Sequence, residues 1–218
     1  LFLANTPPIP GIMRATDNSG EDPDTRSNLQ DWQQRLQEIF SAYMYSRGEV
    51  RQLRFIGMDD GGRELVRVDS DGQSVHVVPS SQLQQKGHRD YVKESSKLSE
   101  GEVYSSRVNF NRERGKIERP LWPTLRLATP VFDAQQRLFG VVVMNLDFSY
   151  SQRLIREDLP QGYRVYLLDE EQHFLLHPYS EKTLAYELGP SYQWGQAFDA
   201  PMADGLRPYR ERGGGATW

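Results

Sequence analysis

"TLRLATPVFDAQQRLFGVVVMNLDF", residues 124–148, holds two strand signals and the turn between them. Leu125, Leu127 and Val131 fall on one face at period two, and Arg126 points to the other face beside the small Ala128. Residues 137–148 are nearly continuous in apolar side chains, the pattern of a strand covered on both faces. "DAQQ" (133–136) supplies the turn. Pro120, Pro123 and Pro130 punctuate the approach and the first strand. A covered second face that still carries a guanidinium, with space left around it, raises the question of what Arg126 meets there.

Upstream, "VRQLRFIGM" (50–58) and "RELVRVDSD" (63–71) flank "DDGG", a strong hairpin signal. Residues 81–94, "SQLQQKGHRDYVKE", are polar and read as helical or irregular. "EVYSSRVNF" (102–110) is strand-like, and a charged connector (111–120) follows it. Before the hairpin, Leu29, Trp32, Leu36, Ile39, Phe40 and Tyr43 form a helical stripe. Ser27 and Gln30 fit a capping box at its start, and Gly48 fits a stop. About 20 residues at 1.5 Å each predict roughly 30 Å of helix with one apolar side. Pro7, Pro8 and Pro10 and the acidic "NSGEDPD" (18–24) bar one uninterrupted helix through residues 1–24.

These elements predict an α+β fold: an antiparallel five-stranded sheet, one face on the long helix, the other capped by residues 81–101. That capped face is the one Arg126 points to. After the amphipathic "SQRLIREDL" (151–159) the pattern restarts with "YRVYLLDE" (163–170) and "QHFLLHP" (172–178), the hairpin of a second, smaller module. The expected organisation is a helical region over 1–48, a first module over 49–150 and a second, truncated module over 151–218. The chain starts at Leu1 without a Met and stops at Trp218 after a Gly-rich stretch, so it is expected to be a piece of something longer.

A net charge of −4 argues against a nucleic-acid footprint, which needs a basic patch. Cysteine is absent, which removes disulfide and cysteine–zinc frameworks. No run of 18 apolar residues is present. The sequence carries no G-x-S-x-G, no Walker A, no Rossmann glycine set and no cysteine nucleophile, so no enzymatic activity and no cofactor are expected of this segment. His173 and His177 share a strand parity, as zinc ligands would, but no third ligand lies within sequence reach. "DSDG" (69–72) has the start of a calcium loop without its remaining ligands. Arg54, Glu64 and Arg67 on adjacent strands read as a cross-strand salt ladder.

The ordered set "PPIPGIMRA" (7–15), "QLRFIG" (52–57), "ELVRVD" (64–69), "HRDYV" (88–92), "RVNFNRERGKIERPLWPTLRLATPVFD" (107–133), "GVVVMNLDF" (140–148) and "VYLLDEEQHFLLHP" (165–178) resembles the double Cache family, the PAS-like tandem sensor domains of bacterial receptors. The likeness covers most of residues 7–180 and is greatest to the branch on sensor histidine kinases and diguanylate cyclases. It implies two tandem PAS-like modules beside the long N-terminal helix, with a small ligand in the first. It also implies a periplasmic location on a membrane-anchored parent, and the N-terminal helix offers a surface for a homodimer.

In the amino-acid-binding subgroup of that family, an Arg followed by aromatics in the variable segment grips a carboxylate, and an Asp late in the last strand holds the ammonium. The resemblance places Arg89 and Tyr91 at the Arg and first aromatic positions, Val92 at the next aromatic and Asn145 at the Asp. Asp147 shares the parity of Asn145 two residues on. Arg126 either joins Arg89 in facing an anion or pairs with Glu118 or Asp147. Tyr104 and Trp122 wall the pocket or plug the core. A neutral residue at 145 favours a carboxylate or other small anion over an amino acid. A free-standing hydrolase and a ligand-free structural spacer are the rival readings.

Overall fold

The computed structural model of the chain describes residues 2–189 and 192–198. The Gly-rich stretch before Trp218 and the end of the expected second module lie outside the described residues. The chain divides into two compact units. One holds the residues up to Ser106 together with Thr124–Asp147, and the other holds Arg107–Pro123 with the described residues from Phe148 onward. Among the described residues, no helix is long and apolar enough to cross a membrane.

The first unit begins with helix α1, Pro8–Asp17, and helix α2, Leu29–Tyr45. The prolines do not prevent α1, because Pro8 opens it where a backbone N–H has no acceptor in any case. The cap of α2 differs from the expected Ser27–Gln30 pair. Asn28 Oδ1 accepts the Asp31 N–H at 2.8 Å, and Asp31 Oδ2 accepts the Asn28 N–H at 3.0 Å. The same reciprocal motif thus sits one residue on, where an amide and a carboxylate supply both acceptors. The helix ends at Ser46, whose hydroxyl donates to the Tyr43 carbonyl, before Gly48 is reached.

Trp32, Leu36, Phe40 and Met44 are buried along α2, and Leu29, Ile39 and Tyr43 pack beside them. Gly11 makes the helix pair possible: a Cβ there would lie 2.3 Å from the Trp32 indole. The loop between the helices is held by Asp22, which is buried. It accepts Arg14 Nη2 at 2.8 Å, Trp32 Nε1 at 3.0 Å and Thr25 Oγ1 at 3.0 Å. The Arg14 guanidinium holds this carboxyl well below the usual carboxylate range.

The sheet of this unit comprises β1 (Val50–Gly57), β2 (Arg63–Ser70), β3 (Val75–Val77), β4 (Tyr104–Ser105), β5 (Pro123–Phe132) and β6 (Leu138–Asp147). They run in the order β3-β2-β1-β6-β5-β4, antiparallel at each pairing. The long hairpins form where alternation predicts them. The strand expected over 102–110 contributes only Tyr104–Ser105 to this path, and the chain enters the other unit at Arg107. Leu53, Phe55, Val66, Val68, Val131 and Val142 face α1 and α2, and form the main core with them. Ile56, Ala128, Val141 and Val143 face the other way, under Tyr91 and Val92.

In the second unit the connector 107–123 is folded on itself by Glu118, which accepts Asn111 Nδ2 at 2.7 Å and Trp122 Nε1 at 3.0 Å. The Tyr186 hydroxyl donates to the Val108 carbonyl at 2.8 Å. Helix α3, Asp90–Ser95, belongs to the first unit, and α4, Phe148–Glu157, to the second. Residues Leu167–Leu168 and Phe174–Leu176 pair antiparallel as a two-stranded sheet of their own. Phe174, Leu176, Leu184 and Trp194 are buried around it.

Candidate functional site

Cross-strand register turns the capped face into a grid. Arg126 lies opposite Asn145, Asn145 opposite Gln52, and Gln52 opposite Asp69. The next row is Ala128, Val143, Arg54 and Arg67, and the one after is Pro130, Val141, Ile56 and Glu64. Glu64 reaches this face because the register shifts between Phe55 and Ile56. One side of the grid is therefore apolar with an arginine at its corner, and the other side is charged.

The charged side is a connected network. Gln52 Oε1 accepts Arg54 Nη2 at 2.5 Å and Asn145 Nδ2 at 2.7 Å. Arg54 Nε lies 3.0 Å from Glu64 Oε1, and Arg67 Nη1 lies 3.8 Å from the same oxygen. Arg67 also binds Asp69, with Nη2 at 2.7 Å from Oδ2. The expected salt ladder of Arg54, Glu64 and Arg67 is thus present, with Arg54 only 2% and Glu64 1% exposed.

The segment over this face is stitched to the β1–β2 turn. Glu64 N–H donates to the Gln84 carbonyl and Gln84 N–H to Glu64 Oε2, each at 3.0 Å. Lys86 N–H donates to the Gly62 carbonyl at 2.7 Å. Gly62 and Gly87 touch so closely that a Cβ on Gly62 would stand 2.3 Å from the Gly87 Cα. Gly62 also has φ +83°, which favours glycine. From this anchor the chain enters α3 with Arg89 at its N-cap and Tyr91 and Val92 turned inward.

Arg126 is 4% exposed, and its guanidinium carbon lies 5.8 Å from the Tyr91 ring centroid. The Arg89 guanidinium carbon lies 5.9 Å from the same centroid. Two arginines from different elements therefore attend one buried aromatic, a cation–π arrangement. Tyr104 pairs with Ala128 and packs on the same apolar patch.

Of the remaining sequence-derived candidates, Asn145 is engaged by Gln52 and by Arg54 Nη1 at 3.4 Å. Asp147 lies two pairs past Asn145, opposite Thr124, with Oδ2 3.9 Å from Arg51 Nη1. Trp122 is grouped with the second unit, where its indole serves Glu118. Gln52, Lys86 and Gln84 were not singled out from the sequence. Gln52 shares the parity of Arg54, which is a usable signal, whereas "QLQQKG" has no period to read.

The two histidines of the second unit take different partners. His173 Nδ1 lies 3.2 Å from Asp169 Oδ2 and 3.6 Å from Glu171 Oε2, and its ring stacks on Tyr186. His177 is buried and its Nδ1 accepts the Tyr179 N–H at 3.0 Å; burial pushes its pKa down. The zinc pairing of His173 with His177 is not what this arrangement builds. In "DSDG", Asp71 closes its own turn by accepting the Gln73 and Ser74 N–H groups at 2.8 Å, which holds its pKa down to about 2.

The chain matches, over residues 25–199, the model of a family described as the bacterial histidine kinase sensor domain. A search of curated proteins returns no match. Among solved structures, a domain of a sensory box/GGDEF family protein from Vibrio parahaemolyticus superposes with TM-score 0.70 at 17% identity, over 91% of this chain and 70% of that one. The extracellular domain assigned to a histidine kinase, vpHK1S-Z8, gives 0.69 at 17% identity, over 91% and 66%. The ligand-binding domain of the Pseudomonas aeruginosa PAO1 amino acid chemoreceptor PctC, solved with GABA, gives 0.52 at 14% identity, over 92% and 75%. The architecture is therefore shared with sensory domains of several receptor types, and the chain itself belongs to the bacterial histidine kinase sensor domain family.

Proposed function

We propose that this chain is the periplasmic ligand-sensing region of a membrane-anchored receptor. It binds a small carboxylate or other small anion under the capping segment of the first unit. The observation that carries the reading is the convergence of Arg89 and Arg126 on Tyr91. Guanidinium groups match carboxylate geometry, and a face partly shielded from water strengthens each contact. Tyr104 and Ala128 supply the apolar wall and the space. Asn145 and Asp147 complete the polar margin of the site. Trp122 is left to the core of the second unit.

The output is a cytoplasmic histidine kinase, in line with the family, and the likeness to a GGDEF protein supports a diguanylate cyclase as the second reading. Two copies would pair through the N-terminal helical region. PctC is described with GABA, which carries a carboxylate and an ammonium. In this chain the neutral Asn145 offers no charge for an ammonium, which favours the carboxylate alone. Calorimetry with an amino acid and its deaminated analogue tests this, on wild type and Arg89→Ala. The deaminated acid should bind more tightly, and Arg89→Ala should abolish its binding. Tighter binding of the amino acid, or no effect of Arg89→Ala, would overturn the reading.

A further inference from the structure

Four histidines occur in the chain, and their surroundings differ. His76 and His88 are exposed, and His173 is half-buried beside Asp169 at 3.2 Å and Glu171 at 3.6 Å. A proton on any of these three meets water or a counter-charge. His177 is placed otherwise: it is 3% exposed and, among the described residues, forms no ion pair with a carboxylate. Its Nδ1 accepts the Tyr179 N–H at 3.0 Å. A backbone N–H can only donate, so Nδ1 carries no proton there and the ring is neutral, with its proton on Nε2.

Phe174 and Tyr166 stand edge-on to this ring, with centroids at 4.8 and 5.2 Å, and Tyr192 lies at 6.1 Å. The titratable and charged groups that face His177 are Tyr179, Glu181 and Lys182 of the loop after it, Tyr166, Tyr192, and Arg156 of α4. Burial disfavours a charge on the ring, and the Lys182 ammonium opposes a second one; the exposed Glu181 favours it less strongly. Lys182 is kept in place by the Tyr192 hydroxyl, which accepts Nζ at 2.9 Å. His177 is also the joint of its loop. Its N–H donates to Thr183 Oγ1 and its carbonyl accepts Arg156 Nη2, each at 3.0 Å. The N–H of buried Leu184 returns to the Phe174 carbonyl at 2.8 Å. Residues 177–184 thus close on the hairpin, with the Tyr179–Nδ1 bond at the near end.

We propose that the second unit is an acid-responsive element, in which a proton on His177 Nδ1 sets two donors face to face and frees the 179–184 loop from the hairpin. The proposal is independent of the anion site in the first unit. Because the folded chain favours the neutral ring, the loop is held fully above about pH 6.5, the unfolded imidazole value, and is loosened as the pH falls further. Asp22 responds only below about pH 5, so the two effects occupy separate windows.

The test is amide hydrogen exchange of the whole chain by NMR at about pH 7.5 and about pH 5, corrected for the intrinsic pH dependence of exchange. Protection of the Tyr179 and Leu184 amides should fall about five-fold or more at the lower pH. His177→Asn sets an amide oxygen where Nδ1 stood, which keeps the acceptor and removes the titration. In that variant the pH effect should shrink to within about two-fold. If His177→Asn fails to fold, the ring signals of wild type decide. His177 should titrate at lower pH than the exposed His76 and His88, over the range in which the loop loses protection. Equal protection at both pH values, or a His177 ring that titrates with the exposed histidines, overturns the proposal. So does a pH effect that survives in His177→Asn, or one that His173→Asn removes instead.

Discussion

Glu64 joins the sheet to the segment that covers it: Oε2 accepts the Gln84 N–H at 3.0 Å, while Oε1 lies 3.0 Å from Arg54 Nε. One carboxylate thus neutralises a buried guanidinium and holds down the strand of chain that carries Arg89 and Tyr91. The floor and the cover of the candidate site share a single charged group.

Replacing Glu64 by Gln is expected to destabilise the unit by about 3–5 kcal/mol, the usual cost of removing one partner of a buried pair. Urea unfolding measures it. A loss below about 1 kcal/mol would mean that Arg54 and Arg67 do not depend on this carboxylate.

Gly87→Ala places a methyl 2.3 Å from the Gly61 carbonyl oxygen, where the neighbour is backbone and has no rotamer to give. The covering segment must lift away from the hairpin turn. Overpacking of this kind costs about 1–3 kcal/mol. The expected signature is faster proteolysis within 81–95, together with loss of ligand binding, read by limited digestion and calorimetry. Unchanged digestion would show that the segment is not held by this contact.

Asn145→Asp puts a carboxylate between Gln52 and Arg126 in the grid. A charge-assisted bond to an ammonium adds roughly 1.5–3 kcal/mol, so preference for an amino acid over its deaminated analogue should rise by about ten-fold or more. An unchanged ratio in competition binding would place any ammonium elsewhere.

Asp22 gives a pH dependence with a definite sign. Its folded pKa is depressed, chiefly by the hydrogen bond from Arg14, below the unfolded value of about 3.9. The unfolded chain therefore takes up a proton first as the pH falls. The contribution is fully present above about pH 5 and is lost progressively as the pH drops through about 4 and below. Asp22→Asn should lower stability at pH 7 and narrow its gap to wild type at pH 3, as followed by urea midpoints. A gap of constant size would remove Asp22 from the acid response.

The strands at 50–57, 63–70, 123–132 and 138–147 were legible because alternation fixes their period and the "DDGG" turn joins the first two. The side to which Arg126 points followed from the same alternation. Glu64 was less accessible, since its place opposite Ile56 depends on a register shift that no residue type announces. The cap of α2 was misplaced by one residue because Ser27–Gln30 and Asn28–Asp31 both satisfy the same spacing. Only the side-chain oxygens of Asn28 and Asp31 close the box. Trp122 sits in a proline-rich connector whose neighbours, Asn111 and Glu118, are set by a turn rather than by periodicity. The stitching of residues 84–87 onto the hairpin rests on backbone groups, which leave little trace in side-chain identity.

The contact of Trp32 with Gly11 has a mechanical meaning. The indole lies flat on the backbone of α1 and is pinned at its nitrogen by Asp22 and overlaid by Arg35 at 4.2 Å. Helices joined this way cannot glide past one another, because any axial slip would drive the ring into main-chain atoms. The one position on α1 where a side chain is missing is thus where α2 is keyed to it.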